Sequence, residues 1–186
     1  MAIKEGIRTG GRSARIQQSI HAAIADLLLE VERSALSVPM IATRAGVTPS
    51  TIYRRWGDLT SLLADAAVER LRPDTPADFG NLRDDLQSWS EQYLDEMSSD
   101  TGREMMRDVI ASAVGCSSRC YVIICDQLQT IVDRALARGE TAPPVDELID
   151  AIVGPMIYRI FYSDMPPTLE RLHQLIDICL ARHRQA

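Results

Sequence analysis

Residues 37–56 read SVPMIATRAGVTPSTIYRRW, and the punctuation of this stretch decides the fold. Ser37 is placed to cap a short helix that runs through Ala45. Gly46 then stands where a helix C-terminus needs a left-handed residue. Thr48-Pro49 opens the next helix, with a hydroxyl at the N-cap and proline at the first helical position. That helix ends near Trp56-Gly57. Two short helices joined by a tight glycine turn make a helix-turn-helix, an arrangement that lays its second helix in the DNA major groove.

The second helix has the chemistry for that task. Thr48, Ser50 and Thr51 put short hydroxyls at its positive end, where phosphates or base edges come close. Arg54 and Arg55 add charge, and arginine holds guanine through two hydrogen bonds. Tyr53 offers a phenol to a phosphate and a ring to a thymine methyl. Ile52 and Trp56, four apart, face inward against the first helix. Arg8, Arg12 and Arg15 are placed for an arm touching the adjacent backbone. The same spacing also fits a plain helical pair whose polar side is merely solvated.

Outward from this segment, almost every periodic stretch has helical spacing. Ile16, Ile20, Ile24, Leu27, Leu28 and Val31 form the stripe of a first helix. Leu62, Leu63, Ala66, Ala67 and Leu71 form that of a fourth, beginning near Asp58. Arg72-Pro73-Asp74-Thr75-Pro76 then divides the chain, so the expected domains are residues 1–72 and 73–186. In the second, Leu82, Leu86, Trp89, Tyr93 and Met97 share one helix face, and Met106, Val109, Ile110 and Ala113 repeat it on a shorter element. Tyr121, Ile124, Leu128, Ile131 and Ala135 mark a longer helix, although Val122-Ile123 alone has strand character. Helices over 146–162 and 168–182 flank Pro166-Pro167, and Gly154-Pro155 is predicted to kink the first of them. The expectation is an all-α chain of about nine helices.

Composition narrows the function classes. An apolar share of 46 % against 25 % charged residues excludes a disordered chain. The apolar runs fall well short of the roughly 20 residues needed to cross a bilayer. The basic start MAIKEGIRTGGRSAR has no apolar centre and is not a secretory signal. The expectation is therefore a cytoplasmic protein with reduced thiols at its four cysteines and no membrane partner. Net charge is −6, but it is divided unevenly. Residues 1–72 hold ten Lys and Arg against seven Asp and Glu, a net of +3, while residues 73–186 hold ten against nineteen, a net of −9. A basic head on an acidic body suits polyanion binding by the head.

The run AGVTPSTIYRRWGDLTSLL, residues 45–63, follows an amphipathic helix and resembles the DNA-binding head of the TetR family of transcriptional repressors. The resemblance covers residues 12–71; the rest is similar in layout only. It implies a three-helix head and a larger helical body for ligand binding and dimerisation. By that resemblance, Ser37, Thr48, Pro49, Ser50, Thr51, Tyr53, Arg54 and Arg55 stand at DNA-contacting positions. It also implies a homodimer on a palindromic double-stranded operator, released by a small-molecule effector. Family members often carry a lysine at the start of the fourth helix for a phosphate contact. This chain has Leu59 there, so that contact is either missing or replaced by Thr60 or Ser61.

The body's residues allow both implied roles. Trp89, Tyr93, Met97, Met106, Cys120, Tyr121, Tyr158 and Phe161 combine adaptable sulfur with amphipathic rings, which suits a largely apolar pocket. Ile152, Met156, Leu169, Leu172, Ile176 and Cys179 form stripes wide enough for an isologous dimer contact. Two heads would then reach successive major grooves about 34–36 Å apart. Either set also fits ordinary core. His21, His173 and His183 are scattered, with no zinc spacing to Cys116, Cys120 or Cys125. There is no glycine-rich phosphate loop, nucleophile elbow or nearby Cys-His pair, so neither catalysis nor a cofactor is expected. Two alternatives stand beside the main reading: a regulator switched by cysteine oxidation or metal, and a helical interaction module without DNA binding.

Overall fold

A computed structural model describes residues 10–70, 75–112, 116–165 and 167–183, without the side chains of Arg12 and Arg70. Arg8, Leu71 to Asp74, Ala113 and Pro166 lie outside the described residues. Every regular element among the described residues is helical. The chain divides into two compact units, Met1–Ala66 and Ala67–Ala186. This division falls inside the fourth helix, upstream of the proline segment that the sequence marks. Helix four runs unbroken through Arg70, so the change of composition comes later in the chain than the change of packing.

The first unit contains α1 (Gly10–Glu30), α2 (Val38–Ala45), α3 (Pro49–Trp56) and the start of α4 (Leu59–Arg70), with a 3-10 turn at Arg33–Ala35. Ile20, Ile24 and Leu27 of α1 pack in one cluster with Ile41 of α2, Ile52 and Trp56 of α3, and Leu62 of α4. Each fully buried isoleucine there contributes about 2–3 kcal/mol relative to exposure. The turn between α2 and α3 closes as the sequence predicts. Gly46 adopts φ +68°, and the Val47 N–H reaches back to the Ala42 carbonyl at 2.9 Å. A side chain at Gly46 would strain that left-handed turn. Asp58 caps α4, its Oδ1 accepting from the Ser61 N–H at 2.7 Å, and this bond holds the Asp58 carboxyl below its ordinary range.

The second unit is built around α5 (Leu82–Ser98), which packs against α6 (Asp100–Ala111), α7 (Cys116–Ala137), α8 (residues 145–162) and α9 (Leu169–His183). Val122-Ile123 is helical within α7. Helix α8 is a continuous rod over 145–162: α-helical Val145–Leu148, a π-helical turn Ile149–Val153, then α-helical Gly154–Tyr162. The π turn is how the rod accommodates Pro155. The Gly154 N–H is displaced onto the Ile149 carbonyl at the residue before the ring that cannot donate.

The segment entering α5 is fastened to the end of α7. Arg134 Nη1 donates to the Pro76 carbonyl at 2.7 Å. Arg138 donates to Asp78 at 3.1 Å, Asp85 at 2.9 Å and Glu140 at 2.8 Å. Asp85 is 1 % exposed and also accepts from the Phe79 N–H at 2.6 Å.

Candidate nucleic-acid interface

Helix α3 has two sides. Ile52 and Trp56 are buried, whereas Thr48, Pro49, Ser50, Tyr53, Arg54 and Arg55 are exposed and Thr51 is half-buried. The 3.6-residue period separates the anchoring pair from the polar set.

The hydroxyls at its start are arranged differently from a simple cap. Thr48 has the extended backbone of an N-cap, but its side chain bonds no helix N–H. Its Oγ1 lies 2.9 Å from Ser50 Oγ and 3.0 Å from Thr51 Oγ1, a cluster on the outer side of the first turn. The Thr51 N–H, a usual partner of such a cap, is taken instead by the Thr48 carbonyl at 2.9 Å. Ser37 likewise leads α2 without a capping bond, so its half-buried hydroxyl is not committed to the helix.

The arginines separate into committed and free. Arg44 is paired with Glu30, its two terminal nitrogens 2.9 and 2.5 Å from the two carboxylate oxygens. Arg55 reaches α1, donating to the Ser13 carbonyl at 3.2 Å, to Ser13 Oγ at 3.0 Å and to Gln17 Oε1. Among the described residues Arg15 and Arg54 make no such bond. Beneath them, Asp65 Oδ2 of α4 accepts from Trp56 Nε1 at 2.9 Å and from Gln17 Nε2 at 3.0 Å, and His21 Nε2 lies 3.2 Å away. This buried polar knot was not singled out in the sequence; a helical turn of four from Gln17 to His21 was the available signal.

Residues 20–66 match the family described as bacterial regulatory proteins, tetR family, and residues 76–179 match the tetracyclin repressor-like C-terminal domain. The chain belongs to the TetR family. An HTH-type transcriptional regulator of Mycobacterium tuberculosis is 30 % identical, with 81 % of this chain and 79 % of that protein covered. The HTH-type transcriptional regulator AqdR of Rhodococcus erythropolis is 24 % identical over 95 % of this chain and 89 % of its own length. Among solved structures, a TetR regulator from Rhodococcus sp. RHA1 shares the fold at TM-score 0.64, with 16 % identity and 91 % and 97 % of the two chains covered. The repressor AlkX from Dietzia shares it at TM-score 0.59, with 18 % identity and coverage of 97 % and 99 %.

The usual TetR lysine position is filled here by a packing residue. Leu59 lies against the apolar cluster of the head, and Ser61 is 4 % exposed, so of the two substitutes only Thr60 reaches solvent.

The body residues divide in a way the sequence did not predict. Trp89, Tyr93, Met97 and Cys120 are buried, with the Trp89 and Tyr93 rings stacked 5.2 Å apart. Burial pushes the Tyr93 hydroxyl above its ordinary range. Trp89 Nε1 donates to Gln127 Oε1 at 2.8 Å, and Ser90 Oγ nearby in sequence is buried with no partner among the described residues. Met106 and Phe161 are half-buried, while Tyr121 and Tyr158 are exposed.

The proposed dimer stripe requires correction. Ile152, Met156, Leu172, Ile176 and Cys179 are each at most 1 % exposed within one protomer, so they are core; only Leu169, at 52 %, faces outward. Helices α8 and α9 are apolar on more than one side, and the longer stripe is the one that packs against its own unit.

Proposed function

We propose that this TetR regulator is a repressor which occupies a palindromic operator as a homodimer in the cytoplasm and releases it when an apolar small molecule enters the body. Residues 1–72 read DNA, and residues 73–186 dimerise and hold the effector. The observation that carries this reading is the two-sided α3: its inward pair is buried, while Tyr53, Arg54 and the mutually bonded hydroxyl cluster of Thr48, Ser50 and Thr51 lie on the outer side.

Dimerisation is supported by the apolar side chains left outside the protomer on its last two helices. Tyr158 and Tyr162 on α8, Met165 in the connection after it, and Leu169 and Ile178 on α9 are all exposed. A two-fold contact buries the same patch on both copies. The effector site is best supported at Trp89, Tyr93, Met97 and Cys120, where Ser90 Oγ supplies an unused polar handle. Coupling is then no larger than the effector's difference in affinity between the DNA-bound and released forms. A thiol switch is disfavoured at Cys120, whose thiol burial pushes up to about 11.

Selecting genomic fragments on the purified protein and footprinting the survivors tests the reading. Protection of two inverted half-sites one helical turn apart is expected. Equal, weak binding to every duplex with no steep salt dependence would sink it.

A further inference from the structure

Consecutive arginines on α3 have opposite surroundings. Arg54 is exposed and unbonded among the described residues, whereas Arg55 is held by α1 at three points. Every one of those acceptors is neutral: the Ser13 carbonyl, the Ser13 hydroxyl and the Gln17 amide oxygen. The guanidinium carbon also sits 5.1 Å from the Trp56 ring centroid. Gln17 is bonded at its other end as well, since its Nε2 donates to the Asp65 oxygen that receives Trp56 Nε1. A ring of bonds therefore runs Arg55, Gln17, Asp65, Trp56 and back along the α3 backbone, threading α1, α3 and α4.

We infer that Arg55 is a positioning residue of the head, which fixes the start of α1 against α3, and not itself a DNA contact. The inference rests on the DNA-binding reading above. Its role is to set the relation between Arg15 on α1 and the pair Tyr53 and Arg54 on α3, so that both helices meet one duplex in register. A planar fork suits this, because the guanidinium grips several acceptors with little further loss of freedom. Lysine keeps the charge but lacks the planar, preorganised fork that spans Ser13 and Gln17.

The test uses the full-length protein with R55K, R55Q, Q17A, the R55K/Q17A pair and R54Q, titrated with a random-sequence duplex at several salt concentrations. R54Q is expected to lower the slope of log K against log salt by about 0.9, one lost phosphate. R55K and Q17A are each expected to weaken binding roughly tenfold with the slope kept, and the pair to be no worse than either single change. A silent Q17A, or an R55Q slope reduced like that of R54Q, overturns the inference. Hydrogen exchange at amides 14–18 of the free protein reads the clamp without DNA: faster exchange is expected in R55K and Q17A, and unchanged exchange also overturns it. Wild-type protein that binds no duplex removes the DNA-binding reading instead, while the exchange result still reports the clamp.

Discussion

Trp56 Nε1 donates to Asp65 Oδ2 at 2.9 Å, and the oxygen it reaches also takes Gln17 Nε2 at 3.0 Å. With His21 Nε2 3.2 Å away, one nearly buried carboxylate joins α1, α3 and α4. Removing it strands buried donors, which costs far more than a surface bond. Asp65→Ala is expected to destabilise the first unit by about 3–4 kcal/mol. The chain has two tryptophans, so Trp56 fluorescence in a Trp89→Phe background reports this unit during urea unfolding. An unmoved midpoint would show that water satisfies these donors equally well.

The outward side of α3 should behave in the opposite way. Tyr53 is 49 % exposed and Arg54 is unbonded among the described residues, so neither supports the fold. Tyr53→Ala and Arg54→Ala are expected to weaken duplex binding while changing stability by no more than about 0.5 kcal/mol. Ile52→Ala, at a fully buried site, should cost about 2–5 kcal/mol. Melting temperature measured beside duplex affinity separates the two classes. Equal losses of stability at Tyr53 and Ile52 would make α3 an ordinary core helix.

Much of this head was legible because its signals are local. Gly46 and Pro49 each impose a backbone state by themselves, and the Ile52–Trp56 spacing names the buried side of α3. Arg55 and Asp65 were not legible as partners, because their bonds join residues about 40 apart or more in sequence to the same Gln17. The body shows a similar limit. Periodicity finds the apolar stripe of α9 that holds Ile176 but does not say whether it faces the protomer's own core or a second copy, until its burial is known. Gly154-Pro155 marks a local disturbance of the helix, but not its form: backbone hydrogen bonding shifts by one residue into a π turn there.

The fastening of the segment before α5 is predicted to be a stability element with a pH signature. Asp85→Ala, which leaves Arg138 and the Phe79 N–H without their buried acceptor, is expected to cost about 2–3 kcal/mol. The Glu140 carboxyl is held below its ordinary 4.5, first by the Leu82 N–H and then by Arg138. A depressed folded value means the unfolded chain takes up the proton first as pH falls. The stabilisation from ionised Glu140 is therefore full above about pH 4.5 and is lost as pH falls through the lower folded value. Urea midpoints of wild type and Glu140→Gln should converge on acidification. A constant gap would mean that the charge of Glu140 contributes nothing and only its hydrogen-bond shape matters.

The last two helices make the most divided prediction. On α9, Ile176 is 1 % exposed and Ile178 is 45 % exposed, two residues apart on opposite sides of one rod. On α8, Met156 is fully buried while Tyr158 stands in solvent with its ring 5.1 Å from that of Tyr162. If the outer side is where a second copy sits, Tyr158→Glu places a charge at a desolvated contact and is expected to give particles of half the mass in sedimentation. Its far-ultraviolet circular dichroism should be unchanged. Ile176→Ala acts on the protomer's own packing and is expected to lower stability by about 2–5 kcal/mol without altering the association state at high concentration. A Tyr158→Glu protein that still sediments as wild type would move the two-fold contact to another face, because no dimer can bury an unpaired carboxylate there at so little cost.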